Sequence, residues 1–140
     1  MFTNQSLLEL DLSDNGLDSA TLSVAAQMMT QNKYLQILNL SDNPICGPNM
    51  DGLNDLKAAF YVNTSLMTLH LNNTGLDSEG AIILAEALPE MRCLRRLDLA
   101  DNSRVELAGI MALAVSARMN KSLICLDLDI IVRAFFTVHS

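Results

Sequence analysis

The chain has 140 residues, half of them hydrophobic, and a formal net charge of −7. The acidic balance argues against nucleic acid as a partner, because phosphates require a basic surface, and an aromatic content of 4% without tryptophan leaves no platform for stacking bases. No stretch approaches the length of a membrane span, and residues 1–5 lack the features of a signal peptide. The three cysteines have neither zinc nor redox spacing, so we expect reduced thiols in a cytoplasmic or nuclear protein, with no metal and no cofactor.

One leucine pattern recurs five times along the chain. Each copy has leucine at three positions, spaced three and then two residues apart. The copies begin at Leu7, Leu35, Leu66, Leu94 and Leu123, which are 28, 31, 28 and 29 residues apart. Between successive copies, small or apolar residues recur four apart, as they do along one face of a helix. The sequence therefore predicts a repeating unit of one short strand and one helix.

Helix start and stop signals follow each predicted strand. The predicted helices cover roughly residues 19–31, 51–62 and 107–119, with a further helix in the third unit. Asp18 or Ser19 can cap the first helix and Asp77 or Ser78 the third, since these side chains accept from the free amides of a first turn. Pro89 is expected to end the regular part of the third helix.

Asparagine occupies a fixed turn position after the strand, as Asn15, Asn43 and Asn102, and Thr74 replaces it in the third unit. We expect these side chains to bond the backbone of adjacent coils, whose polar groups would otherwise be buried unpaired. Three Asn-x-Ser or Asn-x-Thr sequences share a different repeat position, so we interpret them as part of the repeat rather than as glycosylation sites. They begin at Asn4, Asn63 and Asn120.

The pattern also sets the expected domain boundaries. Residues 1–129 are predicted to form the repeat array, with about four full units and a fifth strand, and residues 130–140 form an apolar tail without the repeat. Because residues 4–6 match the end of later units, we expect the chain to begin inside a longer ancestral array. The tail either folds over the last coil as a cap or is an altered end that leaves the array open.

Strand alternation turns every second side chain away from the leucine core, onto a face that we expect to be concave. Carboxylates dominate this face, broken by Arg95 and Arg96, so we expect it to attract a basic protein partner. The alternative is that acids after the strands, such as Asp42 and Asp101, belong to the repeat pattern itself. The candidate partner-binding residues are Glu9, Asp11, Asn39, His70, Arg96, Asp98 and Asp127.

His70 and Asp98 fall in one column on adjacent predicted strands, close enough to form a hydrogen bond. Catalysis would need a nucleophile within reach of His70. Cys125 lies two strands away, about 10 Å by strand spacing, and Ser41 lies in a different row. The face is also open to water, whereas acyl-transfer sites exclude it. We therefore expect no enzymatic activity.

Residues 7–17 and 35–45 follow the pattern Leu-x-x-Leu-x-Leu-x-x-Asn-x-Leu/Ile, with a period near 28 and a full helix in each unit. This resembles the ribonuclease-inhibitor type of leucine-rich repeat. The resemblance implies an α/β solenoid, or horseshoe, with parallel strands on the concave face and helices on the convex face. It also implies a protein-binding role.

Residues 104–113, 118–123 and 126–129 are similar to the regulatory subunit 37 family of protein phosphatase 1 regulators. The resemblance implies a scaffold that binds and inhibits the phosphatase catalytic subunit through a short basic-Val-x-Phe motif outside the repeats. The chain has no good copy of that motif, because residues 104–107 end in leucine and residues 132–135 lack the preceding base.

An alternative role is regulation of another enzyme, as in GTPase-activating proteins that use the same repeat type. Such a role needs a dedicated arginine or asparagine site. Arg95 and Arg96, beside Asn72 and Asn73, are the candidates for it.

Overall fold

A computed structural model describes residues 6–128, and their strands form one parallel sheet in chain order. The register places Leu10, Leu38, Leu69, Leu97 and Leu126 side by side across the sheet. The predicted α/β solenoid is therefore confirmed. The strands are β1 (Glu9–Asp11), β2 (Ile37–Asn39), β3 (Thr68–His70), β4 (Arg96–Asp98) and β5 (Cys125–Asp127).

One helix follows each of the first four strands and packs against one side of the sheet. The helices are α1 (Ser19–Gln31), α2 (Asp51–Phe60), α3 (Ser78–Ala87), which a 3₁₀ turn at Leu88–Glu90 extends, and α4 (Leu107–Met119). The predicted spans of α1 and α4 are confirmed. The predicted end of α2 at residue 62 is wrong, because the amides of Tyr61 and Val62 bond carbonyls three residues back and tighten the last turn.

The predicted caps form at two helices. The carboxylate of Asp18 accepts from the amide of Thr21 at 3.1 Å, and that of Asp77 accepts from the amide of Gly80 at 2.8 Å. Each bond satisfies one amide of a first helical turn that has no partner within the helix.

The hydrophobic core lies between the sheet and the helices. Its completely buried side chains include Leu38, Leu69 and Leu97 of the three inner strands and Leu56 and Leu84 of the helices. Small residues let neighbouring helices approach closely. A Cβ added to Gly52 would lie 2.7 Å from the carbonyl oxygen of Ser19 and 2.9 Å from the Cβ of Leu22. Glycine is therefore required where α2 contacts α1.

Asn43 and Asn102 link adjacent coils as expected, whereas the side chains of Asn15 and Thr74 donate to carbonyls of their own coils. The amide nitrogen of Asn102 donates to the carbonyls of Leu71 and Leu99, and its oxygen accepts from the backbone amides of Thr74 and Leu76. Asn43 makes the same pattern two coils earlier. Each of these two side chains thereby pairs polar backbone groups of its own turn and of the turn before it.

A second set of asparagines confirms that the Asn-x-Ser/Thr sequences belong to the repeat. Asn63 donates to the carbonyl of Met29 at 2.6 Å and accepts from the amide of Leu66 at 2.8 Å. Asn120 makes the equivalent bonds to the carbonyl of Leu88 and from the amide of Leu123. Both side chains are buried. Asn4 lies outside the described residues.

The five strands all fall within the predicted array of residues 1–129. Residues 130–140, and with them both alternatives for the tail, lie outside the described part of the chain. Among residues 6–128, no helix is long and apolar enough to cross a membrane.

Candidate protein-binding surface

Two columns of side chains project from the sheet on the side away from the helices, and we call them together the strand face. The register aligns Asp11, Asn39, His70, Asp98 and Asp127 in one column. The second column contains Glu9, Ile37, Thr68, Arg96 and Cys125. All seven candidate residues thus lie on one continuous surface across the five strands.

The expectation that Asp98 is displayed to a partner is wrong. Its relative exposure is 3%, because two neighbours enclose its carboxylate. His70 Nδ1 lies 2.5 Å from Asp98 Oδ2, which confirms the predicted hydrogen bond, and Arg96 Nε donates to both carboxylate oxygens at 2.9 and 3.0 Å. This hydrogen bonding raises the pKa of Arg96. The middle of the strand face therefore presents a cation and an imidazole rather than a carboxylate.

Carboxylates remain accessible towards the two ends of the strand face. Glu9 and Asp11 are exposed on β1, and Asp127 is half-buried on β5. The hydroxyl and the backbone amide of Ser13 both donate to the carboxylate of Asp11 and lower its pKa. The strand face is consequently acidic at both ends and basic in between.

The acids that directly follow the strands have a backbone explanation. Asp14, Asp42, Asn73 and Asp101 occupy one repeat position and have φ between 53° and 60°. This left-handed conformation is unfavourable for most side chains, and Asp and Asn tolerate it best after glycine. At this position the alternative reading is therefore correct, because the turn itself selects Asp or Asn.

The residues considered for GTPase activation are not brought together. Arg95 lies before β4, at the edge of the sheet where the strands begin, and Arg96 is bound to Asp98. Asn72 and Asn73 follow β3 at the opposite edge, where the oxygen of Asn72 accepts from the amide of Ala100. The expectation that Arg95 interrupts the strand face is also wrong.

Within residues 6–128, no group of three or more His, Cys, Asp or Glu side chains is placed to hold a metal ion. Cys46 is completely buried, and burial raises the pKa of its thiol to about 11. A thiol in this environment is neutral and unreactive at physiological pH.

A second charged surface was missed by the sequence reasoning. Lys33, Arg92 and Lys121 each stand two residues before the first leucine of a repeat copy, and with Arg95 they line one concavity. The sequence did contain a signal for this surface, because a basic residue recurs at one repeat position. We call these four residues and the concavity they line the basic edge.

Comparisons with known proteins agree with this architecture. Two models described as leucine-rich repeat match the chain, one at residues 3–20, 62–85 and 90–114 and the other at residues 34–56. The chain is 30% identical to MAP-homologous protein 1 of Saccharomyces cerevisiae over 128 residues. That match covers 91% of the chain but only 9% of the yeast protein.

Solved structures share the fold at low sequence identity. One is leiomodin-1 actin-binding site 2, with a TM-score of 0.84 and 12% identity over 97% of this chain and 79% of that one. Another is the tropomodulin C-terminal domain of Caenorhabditis elegans, with a TM-score of 0.79 and 13% identity over 96% and 83% of the two chains. These structures show the shared fold, and the repeat matches with the aligned leucines show that this chain is a leucine-rich repeat protein.

Proposed function

We propose that the chain is a non-enzymatic interaction module that binds another protein on the strand face. The observation that supports this most strongly is the alignment of two columns of mostly polar side chains across five parallel strands. Such a surface is fixed in place by the backbone ladder beneath it, so little conformational entropy is lost when a partner binds. Leucine-rich repeats in general serve as protein-binding scaffolds, which agrees with the proposal.

The charges of the strand face define the partner. Basic side chains of the partner fit the acidic ends, at Glu9 and Asp11 on one side and Asp127 on the other. Because Arg96 covers Asp98 in the middle, an acceptor such as a carboxylate or a backbone carbonyl fits there. The net charge of −7 favours encounter with a basic protein.

A finer proposal is that the partner is the catalytic subunit of protein phosphatase 1. Its support is the resemblance of residues 104–113, 118–123 and 126–129 to phosphatase regulators. A pull-down with purified catalytic subunit tests it, comparing this chain with a longer chain that carries a basic-Val-x-Phe motif. Binding by neither chain would end the phosphatase proposal. A parallel pull-down with actin tests the partner named for the leiomodin-1 fragment.

The strand face itself is tested by neutralising its accessible acids and titrating the captured partner. The strand-face variant carries Glu9→Gln, Asp11→Asn and Asp127→Asn. The control carries Asp51→Asn, Asp55→Asn and Glu79→Gln, which are exposed on the helices. Both variants lose three negative charges, so they differ only in where the charge is lost.

We expect the strand-face variant to bind about tenfold more weakly, because it loses three charges that attract a basic partner at the two ends of the strand face. Its affinity is also expected to depend less steeply on salt. The control is expected to bind like the unmodified chain. Equal weakening in both variants would show that net charge matters and the strand face does not.

A further inference from the structure

We propose that the basic edge is a second docking site, which binds an acidic segment of a partner protein that also carries an apolar side chain. The basic edge lies where the strands begin, and its concavity has a volume of about 860 Å³. Lys33, Arg92, Arg95 and Lys121 line it, and no acidic side chain among the described residues does. Four of the nine bases of an acidic protein therefore meet at one place.

No carboxylate among residues 6–128 neutralises these bases. Within the described part of the chain, none of the four forms a salt bridge; the ion pairs there are Lys57–Glu86, His70–Asp98 and Arg96–Asp98. Like charges gathered in this way repel one another and lower the stability of the free protein. A bound anionic group would relieve that repulsion, which gives the site a preference for carboxylates.

The helix dipoles explain the positions of only some of the four bases. Lys33 and Lys121 follow the carboxyl ends of α1 and α4, where a cation stabilises the helix dipole. Arg95 stands at the entry of β4 and has no such role. The concavity therefore contains more positive charge than the helix ends require.

Apolar side chains lie among the bases. Leu8 is 53% exposed, Tyr34 is 44% exposed and Ile124 is 73% exposed, and all three line the same concavity. Exposed tyrosine, aliphatic and arginine side chains in one recess are typical of protein-binding surfaces. They supply a place for an apolar anchor of the partner, while the surrounding bases hold its carboxylates.

Hydrogen bonds hold the backbone under the basic edge in place. Asn63 and Asn120, in the loops before β3 and β5, are buried, and each bonds the preceding coil and its own coil. The lining is thus formed before a partner arrives. A concave lining fits a peptide segment better than a flat bilayer, and among residues 6–128 Tyr34 is its single aromatic side chain, which is too few to stack successive bases.

The experiment selects ligands from a random dodecapeptide library on the full chain and titrates the most enriched peptide by fluorescence anisotropy. The test variant is Arg92→Glu with Arg95→Glu. The matched control is Arg104→Glu with Arg118→Glu, two arginines that are exposed elsewhere on the molecule and change the net charge equally. Vesicles containing phosphatidylserine form a separate arm.

We expect enriched peptides to combine several Asp or Glu residues with an aromatic or aliphatic residue. Their affinity should fall at least tenfold in the test variant and stay within twofold in the control, and Ile124→Ser should weaken it about threefold or more. Peptides without an acidic excess, equal losses in the two variants, absence of enrichment, or binding to vesicles alone would overturn the proposal. Because Glu9, Asp11 and Asp127 are untouched, these results are independent of the strand-face titration.

Discussion

The side-chain amide of Asn43 donates to the backbone carbonyl of Leu12, 31 residues earlier in the chain, at 3.0 Å. The same side chain accepts from the backbone amides of Asn15 and Leu17 at 2.9 and 3.0 Å. One residue thus joins two successive coils at the edge where the strands end. Because each coil of a solenoid contacts only its neighbours, such links set the stability of the array.

We expect Asn43→Ala to lower the free energy of unfolding by about 2–4 kcal/mol, because it leaves several buried backbone groups without partners. Asn15→Ala is the matched control: it removes the same residue type at the same repeat position, but Asn15 is exposed and its amide donates to carbonyls of its own coil. Its expected cost is below about 1 kcal/mol. Urea denaturation measures both, and equal costs would show that the link between coils contributes nothing.

Asp98 is expected to matter for stability more than for direct contact with a partner. Asp98→Ala removes the acceptor for Arg96 and His70, and we expect a loss of about 1–2 kcal/mol, because both partners retain access to water. Asp11→Ala changes the same column at an exposed position and should leave the free energy of unfolding nearly unchanged. Thermal or urea unfolding of the two variants gives the comparison. A larger loss at Asp11 would contradict the buried role of Asp98.

The left-handed turn residues give a prediction with an internal control. At Asp101, where φ is 59°, replacement by alanine should cost about 1 kcal/mol, since a Cβ disfavours this conformation. Glycine also lacks the carboxylate, but it adopts the left-handed conformation without strain. The glycine variant should therefore be the more stable of the two. Equal unfolding midpoints for Asp101→Ala and Asp101→Gly would refute the backbone explanation of these acids.

Burial of the Cys46 thiol is expected to lower the free energy of unfolding as the pH rises into the alkaline range. Its folded-state pKa is raised from 9.0 to about 11. Below pH 9 the thiol is neutral in both states and its contribution is fully present. Between pH 9 and 11 only the unfolded chain ionises, so stability falls as pH rises, by up to about 3 kcal/mol in total.

Urea denaturation at several pH values between 8 and 11 measures this loss. Cys46→Ala should flatten the profile relative to the unmodified chain. Cys93→Ala is the control, because it keeps the buried thiol of Cys46 and should therefore keep the slope. Identical profiles for Cys46→Ala and the unmodified chain would show that other groups cause the pH dependence.

The repeat made most of the fold predictable. A fixed period forces Leu38, Leu69 and Leu97 into one register, and the turn asparagines follow from the need to pair buried backbone groups. The burial of Asp98 could not be predicted, because alternation shows which way a side chain leaves the strand. It does not show that the long side chain of Arg96 lies over its neighbour.

The basic edge illustrates a different limit. Lys33, Arg92 and Lys121 share one repeat position, so the charge pattern was present in the sequence. Leucine spacing, however, does not determine the conformation of the segments that lead into the strands. Their convergence with Tyr34 and Ile124 on one concavity required the structure.

Site-directed photo-crosslinking tests the central claim most directly. A benzoylphenylalanine introduced at Asn39, in the middle of the strand face, is compared in a cell extract with one introduced at Ala58, which is exposed on α2. If the strand face binds a protein, position 39 gives an adduct of defined mass and position 58 does not, and the Glu9→Gln, Asp11→Asn, Asp127→Asn variant reduces the yield. Adducts at position 58 alone, equal yields at both positions, or no adduct at either would contradict the claim.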